Sequence, residues 1–199
     1  KVVEKLDQIP SDKPVLFRAH GTAKNVWQKA EKQKMNIIDA TCPLVHEIHH
    51  EVKALHNEGR KIIIIGDHGH DEVVGIASQI PDPIVIASVE EAKALRKTKK
   101  AGIVSQSTQT IENVQDIINI LMTKVFDLRF VNTICFPTKR NQEQIKELSE
   151  VTDLMIIIGS FTSANSKRLT ELSKERNKNT YQVTCAAEID STWLSSDVN

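Results

Sequence analysis

Residues 39–43 read DATCP, and residues 61–70 read KIIIIGDHGH. The run of four isoleucines has the length of a buried strand, and Gly66 follows it as a turn residue. The stretch between the two segments places its apolar residues on one face of a helix: Val45, Ile48, Val52 and Leu55. A polar loop, a helix and a buried strand in this order predict one unit of a parallel α/β fold.

A second segment repeats this order further along the chain. Residues 132–137 read NTICFP, and residues 154–163 read LMIIIGSFTS. The interval from the cysteine to the glycine that ends the strand is the same in both copies. This self-similarity indicates a repeated α/β unit in which each copy supplies one cysteine.

Three such lobes are expected, in an α/β fold whose short, mostly parallel sheets are flanked by helices. Residues 15–21, VLFRAHG, resemble the last strand and turn of a preceding copy, so the cysteine of that copy would lie upstream of Lys1. The last copy stops at Asn199, before any counterpart of residues 102–108, GIVSQST. The predicted lobes are the remainder of the first over residues 1–41, the second over residues 42–131 and an incomplete third over residues 132–199.

Short Ile- and Val-rich runs that alternate with amphipathic stretches predict the remaining elements. Strands are expected over residues 15–17, 36–39, 61–65, 83–87, 102–105, 129–132, 154–158 and 181–184. Helices are expected over residues 22–34, 45–58, 71–79, 89–98, 110–123, 139–150, 165–176 and 186–196.

The composition argues against several classes of partner. The chain has 199 residues, of which 26 are basic and 26 acidic. This balance disfavours binding to nucleic acid or to an acidic membrane, which requires a surface of one sign. No apolar run approaches the ~20 residues of a membrane helix, and the N-terminus is neither a signal nor a transit peptide. Scattered cysteines indicate a reducing, cytoplasmic setting, where cysteine more often serves metal binding or catalysis.

The cysteines differ in their predicted roles. Cys42 and Cys135 each follow a strand and precede a helix, whose N-terminal N–H groups favour a thiolate. A lone cysteine is commonly a small buried side chain, but two equivalent positions favour metal binding. Zinc is an alternative metal, although C-x-x-C spacing is absent and ligands from separate lobes suit a larger cluster better. Cys185 is expected to be a small buried side chain and not a ligand.

The histidines form two groups. His20 and His70 stand in glycine-flanked turns at strand ends, where an imidazole can donate a hydrogen bond to a phosphate oxygen. Four others lie on the helix predicted over residues 45–58, and a solvated helix face is favoured over a metal-binding pair for them. These four are His46, His49, His50 and His56.

Two further features allow two interpretations each. Glu72, in the first turn of a predicted helix, can interact with the helix dipole or, beside a reducing cluster, carry a proton. Ser163 and Asn165, within GSFTSANSKRL (159–169), can cap a helix or join backbone N–H groups in binding phosphate. That segment lacks the Walker lysine pattern, so a nucleoside triphosphate is not expected there.

Six motifs resemble those of the 4-hydroxy-3-methylbut-2-enyl diphosphate reductase family, in family order over almost the whole chain. They are AHG (19–21), DATCPLV (39–45), GHDEVVG (69–75), SQST (105–108), NTICFPT (132–138) and GSFTSANSKRL (159–169). The resemblance implies three lobes in pseudo-threefold arrangement around a central [4Fe–4S] cluster held by three cysteines. Cys42 and Cys135 match two of these ligands, and the third would lie outside this chain.

The same resemblance implies roles for the other candidate residues. Glu72 matches the proton donor, and Ser107 stands where the family usually has a threonine that contacts the substrate hydroxyl and relays protons. Thr108 follows as in the family and is expected to contact the substrate too. Besides Ser107, two further positions depart from the family pattern, because Ala164 replaces a usual serine and Asp71 a usual proline. The positions that match diphosphate ligands are His20, His70, Ser163 and Asn165.

The implied reaction is removal of the allylic hydroxyl of 4-hydroxy-3-methylbut-2-enyl diphosphate, with two electrons and two protons, to give isopentenyl and dimethylallyl diphosphates. A reduced ferredoxin or flavodoxin type protein would donate the electrons. Because the first and third lobes are expected to be incomplete, the chain alone is expected to be poorly loaded with cluster and inactive. The alternatives are a cluster-free binding protein of this fold and a zinc-bound α/β domain that uses Cys42, Cys135 and a histidine.

Overall fold

The computed structural model describes residues 2–3, 5–10 and 12–194. The strands in this part of the chain are β1 (Val15–Phe17), β2 (Ile37–Asp39), β3 (Lys61–Ile65), β4 (Ile84–Ile86), β5 (Thr98–Ser105), β6 (Val125–Phe130), β7 (Met155–Ile158) and β8 (Thr180–Val183). The α-helices are α1 (Lys24–Lys32), α2 (Pro43–Asn57), α3 (Asp71–Ala77), α4 (Val89–Ala94), α5 (Ile111–Met122), α6 (Phe136–Val151) and α7 (Ala164–Lys174).

The described strands form three sheets, and every pairing within them is parallel. One sheet pairs β1 with β2, a second has the order β4-β3-β5-β6, and a third pairs β7 with β8. Parallel neighbours require crossover connections, and the helices supply them. The predicted α/β fold with short parallel sheets flanked by helices is therefore confirmed. Over the described residues, no helix combines the length and the apolar character needed to cross a membrane.

The chain divides into two compact units. The first unit comprises residues 1–107 and 113–133, and the second comprises residues 108–112 and 134–199. The first unit contains the sheet of β1 and β2 as well as the four-stranded sheet. The division into three lobes stays a prediction.

The core of the first unit lies where α2 and α3 pack on β3 and β5. Its buried side chains are Ile48, Val52, Leu55, Ile62, Ile64, Val73, Ile76, Ile80 and Val104. A smaller cluster lies beside the first sheet, where Phe17 and Trp27 make an edge-to-face contact with ring centroids 4.8 Å apart. Both clusters follow from helices whose apolar stripe covers a buried strand.

The core of the second unit contains a chain of buried hydroxyl groups. Ser149 Oγ lies 2.8 Å from Ser173 Oγ, which lies 2.8 Å from Thr180 Oγ1. Thr180 Oγ1 donates to the carbonyl of Asn177 at 2.7 Å, so this end of the chain of hydroxyls is satisfied. These bonds connect α6, α7 and β8, and they explain why a helix as polar as α6 still buries one face.

The internal repeat has a structural counterpart at the two glycines that follow β3 and β7. Gly66 N–H donates to the carbonyl of Ile86 at 2.9 Å, and Gly159 N–H donates to that of Val183 at 2.8 Å. A Cβ atom on Gly66 would lie 2.6 Å from Val73 Cγ2, and one on Gly159 would strike the side chain of Ser166. In both copies, then, the strand ends in a glycine because the following helix packs directly on it.

Two strands of the central sheet differ from their predicted bounds. β5 begins at Thr98, before the apolar residues that predicted it, and β6 covers Val125–Phe130 where residues 129–132 were expected. Thr98 pairs with Val125, and Lys100 pairs with Asp127. The ladder between neighbouring strands sets these bounds, because tertiary pairing overrides a weak side-chain pattern.

The helix predicted over residues 186–196 is wrong for the residues that the structure describes, and residues 195–199 lie outside them. Short 3-10 turns at Ala186–Glu188 and Ser191–Trp193 stand in its place. Asp190 Oδ1 accepts from both the backbone N–H and the hydroxyl of Thr192, at 2.8 Å each. Such local side-chain bonds compete with helical hydrogen bonds and interrupt the helix.

Candidate active site

Cys42 and Cys135 occupy the same position on their helices. Cys42 is the N-cap residue of α2 and Cys135 that of α6, and a proline stands in the first turn of each helix. Neither side chain caps its helix with a hydrogen bond, and both thiols are half-buried and free of disulfides. A sulfur atom at a helix N-terminus is stabilised as the thiolate, the form that binds metals.

The loop before Cys42 is held by a carboxylate. Asp39 Oδ1 accepts from Thr41 Oγ1 at 2.6 Å and from Thr41 N–H at 2.9 Å, and His46 Nε2 lies 3.2 Å from Asp39 Oδ2. Burial alone would raise the pKa of Asp39, but the bonds from Thr41 and the neighbouring His46 outweigh it and lower that pKa. The carboxylate therefore stays ionised and fixes the loop that presents Cys42.

The chemistry of the two cysteines fits an iron–sulfur cluster. Thiolates are the usual ligands of such clusters, and both sulfur atoms follow strand ends in equivalent copies of the repeat. Cys135 Sγ contacts Thr138 Oγ1 at 2.9 Å, which is an additional polar contact for the sulfur. Over the described ranges, no three His, Cys, Asp or Glu side chains form a group suited to holding one metal ion. Cys185 is exposed, contrary to the buried position expected for it.

His20 and His70 lie side by side in the first unit. Their ring centroids are 5.5 Å apart, with the rings nearly perpendicular. His20 is exposed on the turn formed by residues 18–21, here called the His20 turn, in which Gly21 N–H donates to the carbonyl of Arg18 at 3.1 Å. The structure thus brings together two imidazoles that the sequence placed fifty residues apart.

His70 is the N-cap residue of α3, and its Nδ1 accepts from Glu72 N–H at 3.2 Å. Burial lowers the pKa of His70, and nearby His20 lowers it further, while Glu72 opposes the shift. A neutral ring whose Nδ1 accepts carries its proton on Nε2. His70 therefore has one N–H free of the helix with which to donate to a ligand.

Glu72 is the most buried acidic side chain of this site, with 1% of its surface exposed. Ser107 N–H donates to Glu72 Oε1 at 2.6 Å, and Ser107 Oγ donates to Glu72 Oε2 at 2.8 Å. Both carboxylate oxygens are thus bonded by one residue, which satisfies a group whose burial would otherwise be costly. The two predicted proton carriers are therefore in direct contact.

The His20 turn is also connected to α3 at the surface. Arg18 Nη2 lies 2.5 Å from Asp71 Oδ2, and both side chains are more than half exposed. Asp71 is one of the positions that depart from the family pattern, and its carboxylate makes this ion pair with Arg18. An exposed ion pair of this kind contributes little to stability.

In the second unit, the predicted residues lie at the start of α7. Ser163 is the N-cap residue, and its Oγ accepts from Ser166 N–H at 3.3 Å. Asn165 lies in the first turn, so the helix N-terminus and a side-chain amide are both available to an anion. Thr108 Oγ1 accepts from Arg168 Nη1 at 3.2 Å, which places a guanidinium beside another predicted substrate contact.

His49 contradicts the prediction of a solvated helix face. It has 9% of its surface exposed and lies on the buried side of α2, whereas His46 and His50 are exposed. Burial lowers the pKa of His49 to about 4, with further lowering by His46 and Lys53. His49 lies four residues after Val45 and three before Val52. This helical spacing places it on the apolar face of α2, so the sequence already contained a signal for its burial.

A cavity beside α2 lies apart from the predicted site. Its volume is about 420 Å³, and its described lining includes Trp27, Thr41, His49 and Lys53. The predicted ligands His20, His70, Glu72 and Ser107 are not among the residues that line it. The site instead consists of polar groups at strand ends, as in other α/β folds.

Arg18 and Arg168 are not among the site residues that the sequence predicted, and His49 was expected on a solvated helix face. Arg168 lies within the quoted GSFTSANSKRL segment, one helical turn after Asn165, so its spacing was a usable signal. Arg18 precedes the His20 motif, but nothing in the local pattern indicated its contact with Asp71.

Comparison with known proteins identifies the protein family to which the chain belongs. A family model described as LytB protein matches residues 1–199. The chain belongs to the LytB family. The match covers both units of this LytB chain, including the two cysteines that cap helices, Glu72 with Ser107, and the start of α7.

Curated relatives of this LytB chain are named 4-hydroxy-3-methylbut-2-enyl diphosphate reductase. The protein from Geobacter sulfurreducens is 37% identical over 195 residues, which are 98% of this chain and 69% of the relative. The protein from Helicobacter hepaticus is 39% identical over 189 residues, which are 95% of this chain and 69% of the relative. The LytB chain thus spans about two thirds of the length of such relatives.

Solved structures show the same fold. The E-1-hydroxy-2-methyl-but-2-enyl-4-diphosphate reductase from Plasmodium falciparum has a TM-score of 0.91 and 30% identity, over 99% of this LytB chain and 63% of that one. A structure of (E)-4-hydroxy-3-methyl-but-2-enyl diphosphate reductase, the terminal enzyme of the non-mevalonate pathway, has a TM-score of 0.66 and 32% identity. It covers 98% of this LytB chain and 70% of its own.

Proposed function

We propose that the protein takes part in the reductive removal of the allylic hydroxyl of 4-hydroxy-3-methylbut-2-enyl diphosphate, as its relatives' names indicate for them. The observation that carries this proposal is the buried Glu72 carboxylate bonded at both oxygens by Ser107. A buried acid that contacts a hydroxyl at a strand end can pass a proton to a bound substrate without exchange with bulk water.

The diphosphate of the substrate would bind to side-chain and backbone hydrogen-bond donors. In the first unit these are His20 and His70, and in the second unit Ser163, Asn165 and Thr108. The N-terminus of α7 adds backbone N–H groups and a partial positive charge. Hydrogen-bond donors of this kind hold a dianion in a fixed orientation, which leaves the allylic hydroxyl to face the proton carriers.

The proton would move along a short path. With Glu72 protonated on Oε2, that oxygen would donate to Ser107 Oγ, 2.8 Å away, while the Ser107 hydroxyl would give its own proton to the hydroxyl oxygen of the substrate. The balanced reaction consumes two electrons and two protons, breaks the allylic C–O bond, forms one C–H bond and releases water. Glu72 supplies the proton that leaves in the water, so its contact with Ser107 determines whether the hydroxyl can depart.

Cys42 and Cys135 would hold a [4Fe–4S] cluster as thiolates at the N-termini of α2 and α6. When bound, such a cluster supplies the electrons of the reaction and a Lewis-acidic iron. A reduced ferredoxin or flavodoxin type protein would reduce it.

Replacement of Glu72 tests the proposal. In the intact protein, Glu72→Gln preserves the shape of the side chain and the bond from Ser107 N–H, but it cannot donate an acidic proton. We expect unchanged binding of the substrate and a loss of turnover of about 100-fold or more. Glu91→Gln is the matched control, because Glu91 also accepts a backbone N–H, that of Ala87 at 2.9 Å, but belongs to α4. Normal turnover in Glu72→Gln would remove Glu72 from the mechanism.

A further inference from the structure

We propose that His49 is a positioning residue that holds the His20 turn against α3 and so sets the separation of His20 and His70 for a phosphate-bearing ligand. The identity of that ligand rests on the proposed function, whereas the positioning rests on the contacts of His49 itself.

An imidazole is an unusual choice for the place that His49 occupies. The side chain is 9% exposed, and among the described residues its Nε2 is the buried side-chain atom found without a hydrogen-bond partner. Buried polar atoms are almost always paired, because an unmade bond costs free energy. An aliphatic side chain would fill the same space without that cost, but it would present a different shape to the backbone beside it.

The ring contacts the His20 turn at its glycine. An ideal Cβ atom on Gly21 would lie 3.3 Å from His49 Cε1 and 3.5 Å from His49 Nε2. Gly21 also has a φ of +81°, a conformation that other residues rarely adopt. The backbone of the turn therefore lies beside Cε1 and Nε2 of His49, and Val45 Cγ1 lies 3.2 Å from the same Cβ position.

The same ring also faces α3. An ideal Cβ atom on Gly75 would lie 3.5 Å from His49 Nε2 and 3.8 Å from the carbonyl oxygen of His20. The turn, the ring and the helix thus meet at one point. Because α3 begins directly after His70 and carries Glu72, the ring fixes the turn relative to both residues.

Other links between the turn and α3 are weaker or lie elsewhere. The ion pair of Arg18 with Asp71 is exposed, so solvent and salt screen it. Lys24 N–H donates to Ser78 Oγ at 3.0 Å, but this bond holds the start of α1 at the far end of α3. The buried ring and Val45 Cγ1 are the side-chain groups that lie beside Gly21 of the turn, and the ring is the one that also faces α3.

His49 acts through its shape. Burial, together with His46 and Lys53, lowers the pKa of His49 to about 4, although Asp39 acts in the opposite direction. The ring is uncharged at neutral pH, so a planar side chain without nitrogen would serve the same purpose.

Three variants of the intact protein separate positioning from packing. His49→Leu keeps the buried volume but not the flat ring, His49→Phe restores a flat ring, and Val52→Ala destabilises the same helix away from the turn. With inorganic pyrophosphate as the probe, we expect about tenfold weaker binding in His49→Leu and less than about threefold change in the other two. KM for the allylic diphosphate should rise about tenfold in His49→Leu with kcat within about twofold, since Ser107 and Glu72 do not touch the ring.

A measurement on the ligand-free protein tests the positioning role without relying on ligand binding or turnover. Rings with centroids 5.5 Å apart should give a nuclear Overhauser cross-peak between His20 and His70. We expect this cross-peak to vanish in His49→Leu and to persist in His49→Phe and Val52→Ala. If the wild-type protein neither binds pyrophosphate nor turns over substrate, the proposed function fails, while a lost cross-peak still supports positioning. A cross-peak that persists in His49→Leu overturns the positioning role.

Discussion

At the scale of single residues, the site depends on how Glu72 is kept inside the protein. A carboxylate with 1% of its surface exposed needs donors at both oxygens, and Ser107 supplies them from its backbone and its hydroxyl. The hydroxyl thereby has a structural role as well as the proposed role in proton transfer. A threonine at this position would keep that hydroxyl.

Ser107→Ala should therefore lower the stability of the protein as well as its turnover. Removal of the hydroxyl leaves Glu72 Oε2 buried without its donor, which should lower the free energy of unfolding by about 1–3 kcal/mol. Ser107→Thr keeps the donor and should keep turnover. Urea unfolding measures the stability, with Ser105→Ala as a control that loses a neutral contact with Thr133. Equal stability of Ser107→Ala and the wild type would contradict the structural role.

The buried His49 makes stability depend on pH. Its folded pKa is lowered from 6.5 to about 4, so its contribution is complete above pH 6.5 and is lost as the pH falls toward the folded value. The unfolded chain takes up the proton first, which should cost about 3 kcal/mol of stability by pH 4.

Urea unfolding at pH 7 and at pH 4 checks this expectation. The decrease in the free energy of unfolding should be larger for the wild type than for His49→Phe by about 3 kcal/mol, since phenylalanine does not titrate. Equal decreases in the free energy of unfolding of the two proteins would contradict the lowered pKa, because they would mean that the folded protein binds a proton at His49 as readily as the unfolded chain.

At the scale of elements, the repeated unit places chemistry at two kinds of position. A cysteine is the N-cap residue of the helix that precedes the strand. A glycine follows the strand at the place where the next helix packs against it. At Gly66 the next helix is α3, and Val73 leaves no space for a side chain. The turn that carries His70 therefore depends on a residue without a Cβ atom.

Two glycine substitutions should have effects of opposite sign. Gly66→Ala places a Cβ atom 2.6 Å from Val73 Cγ2, and the required shift should cost about 1–3 kcal/mol. Gly75→Ala lies within α3, where the nearest atom would be 3.5 Å away, and should add about 0.5–1 kcal/mol of stability. Denaturant unfolding of both variants gives the comparison. A stabilising Gly66→Ala would mean that the packing of α3 on this glycine is not a constraint.

At the scale of the whole molecule, the two compact units each present one half-buried cysteine at a helix N-terminus. Each of these cysteines is a proposed thiolate ligand of an iron–sulfur cluster, so the proposed reducing chemistry is tested on the intact protein. The polar contacts differ between the two, with Thr41 and Asp39 arranging the loop before Cys42 and Thr138 contacting Cys135.

Anaerobic reconstitution with iron and sulfide checks this proposal. The intact wild-type protein should acquire broad visible absorbance, and Cys42→Ala or Cys135→Ala alone should remove most of it, because each cluster ligand is required. Cys185→Ala is the matched control, since this cysteine is exposed and not a proposed ligand. A colourless protein loaded with zinc would contradict the cluster and favour the zinc-bound alternative.

The sequence by itself determined the parts of this protein that depend on near neighbours along the chain. The isoleucine runs, the helical apolar faces and the spacing of cysteine to glycine predicted the α/β units, because backbone geometry converts such periodicities directly into strands and helices. Residue types at strand ends likewise indicated His20, His70 and Glu72 as candidates, and the family resemblance added Ser107.

Only the tertiary structure decided how these groups meet. The bonds from Ser107 to Glu72 and the contact of His49 with Gly21 and Gly75 join segments far apart in the chain, and no local pattern encodes such separations. The same holds for the bounds of β6, which pairing with β5 sets. Periodicity shows which side of a helix is apolar, but the burial of that side depends on which other elements pack against it. His49 is buried because the His20 turn and α3 lie beside it.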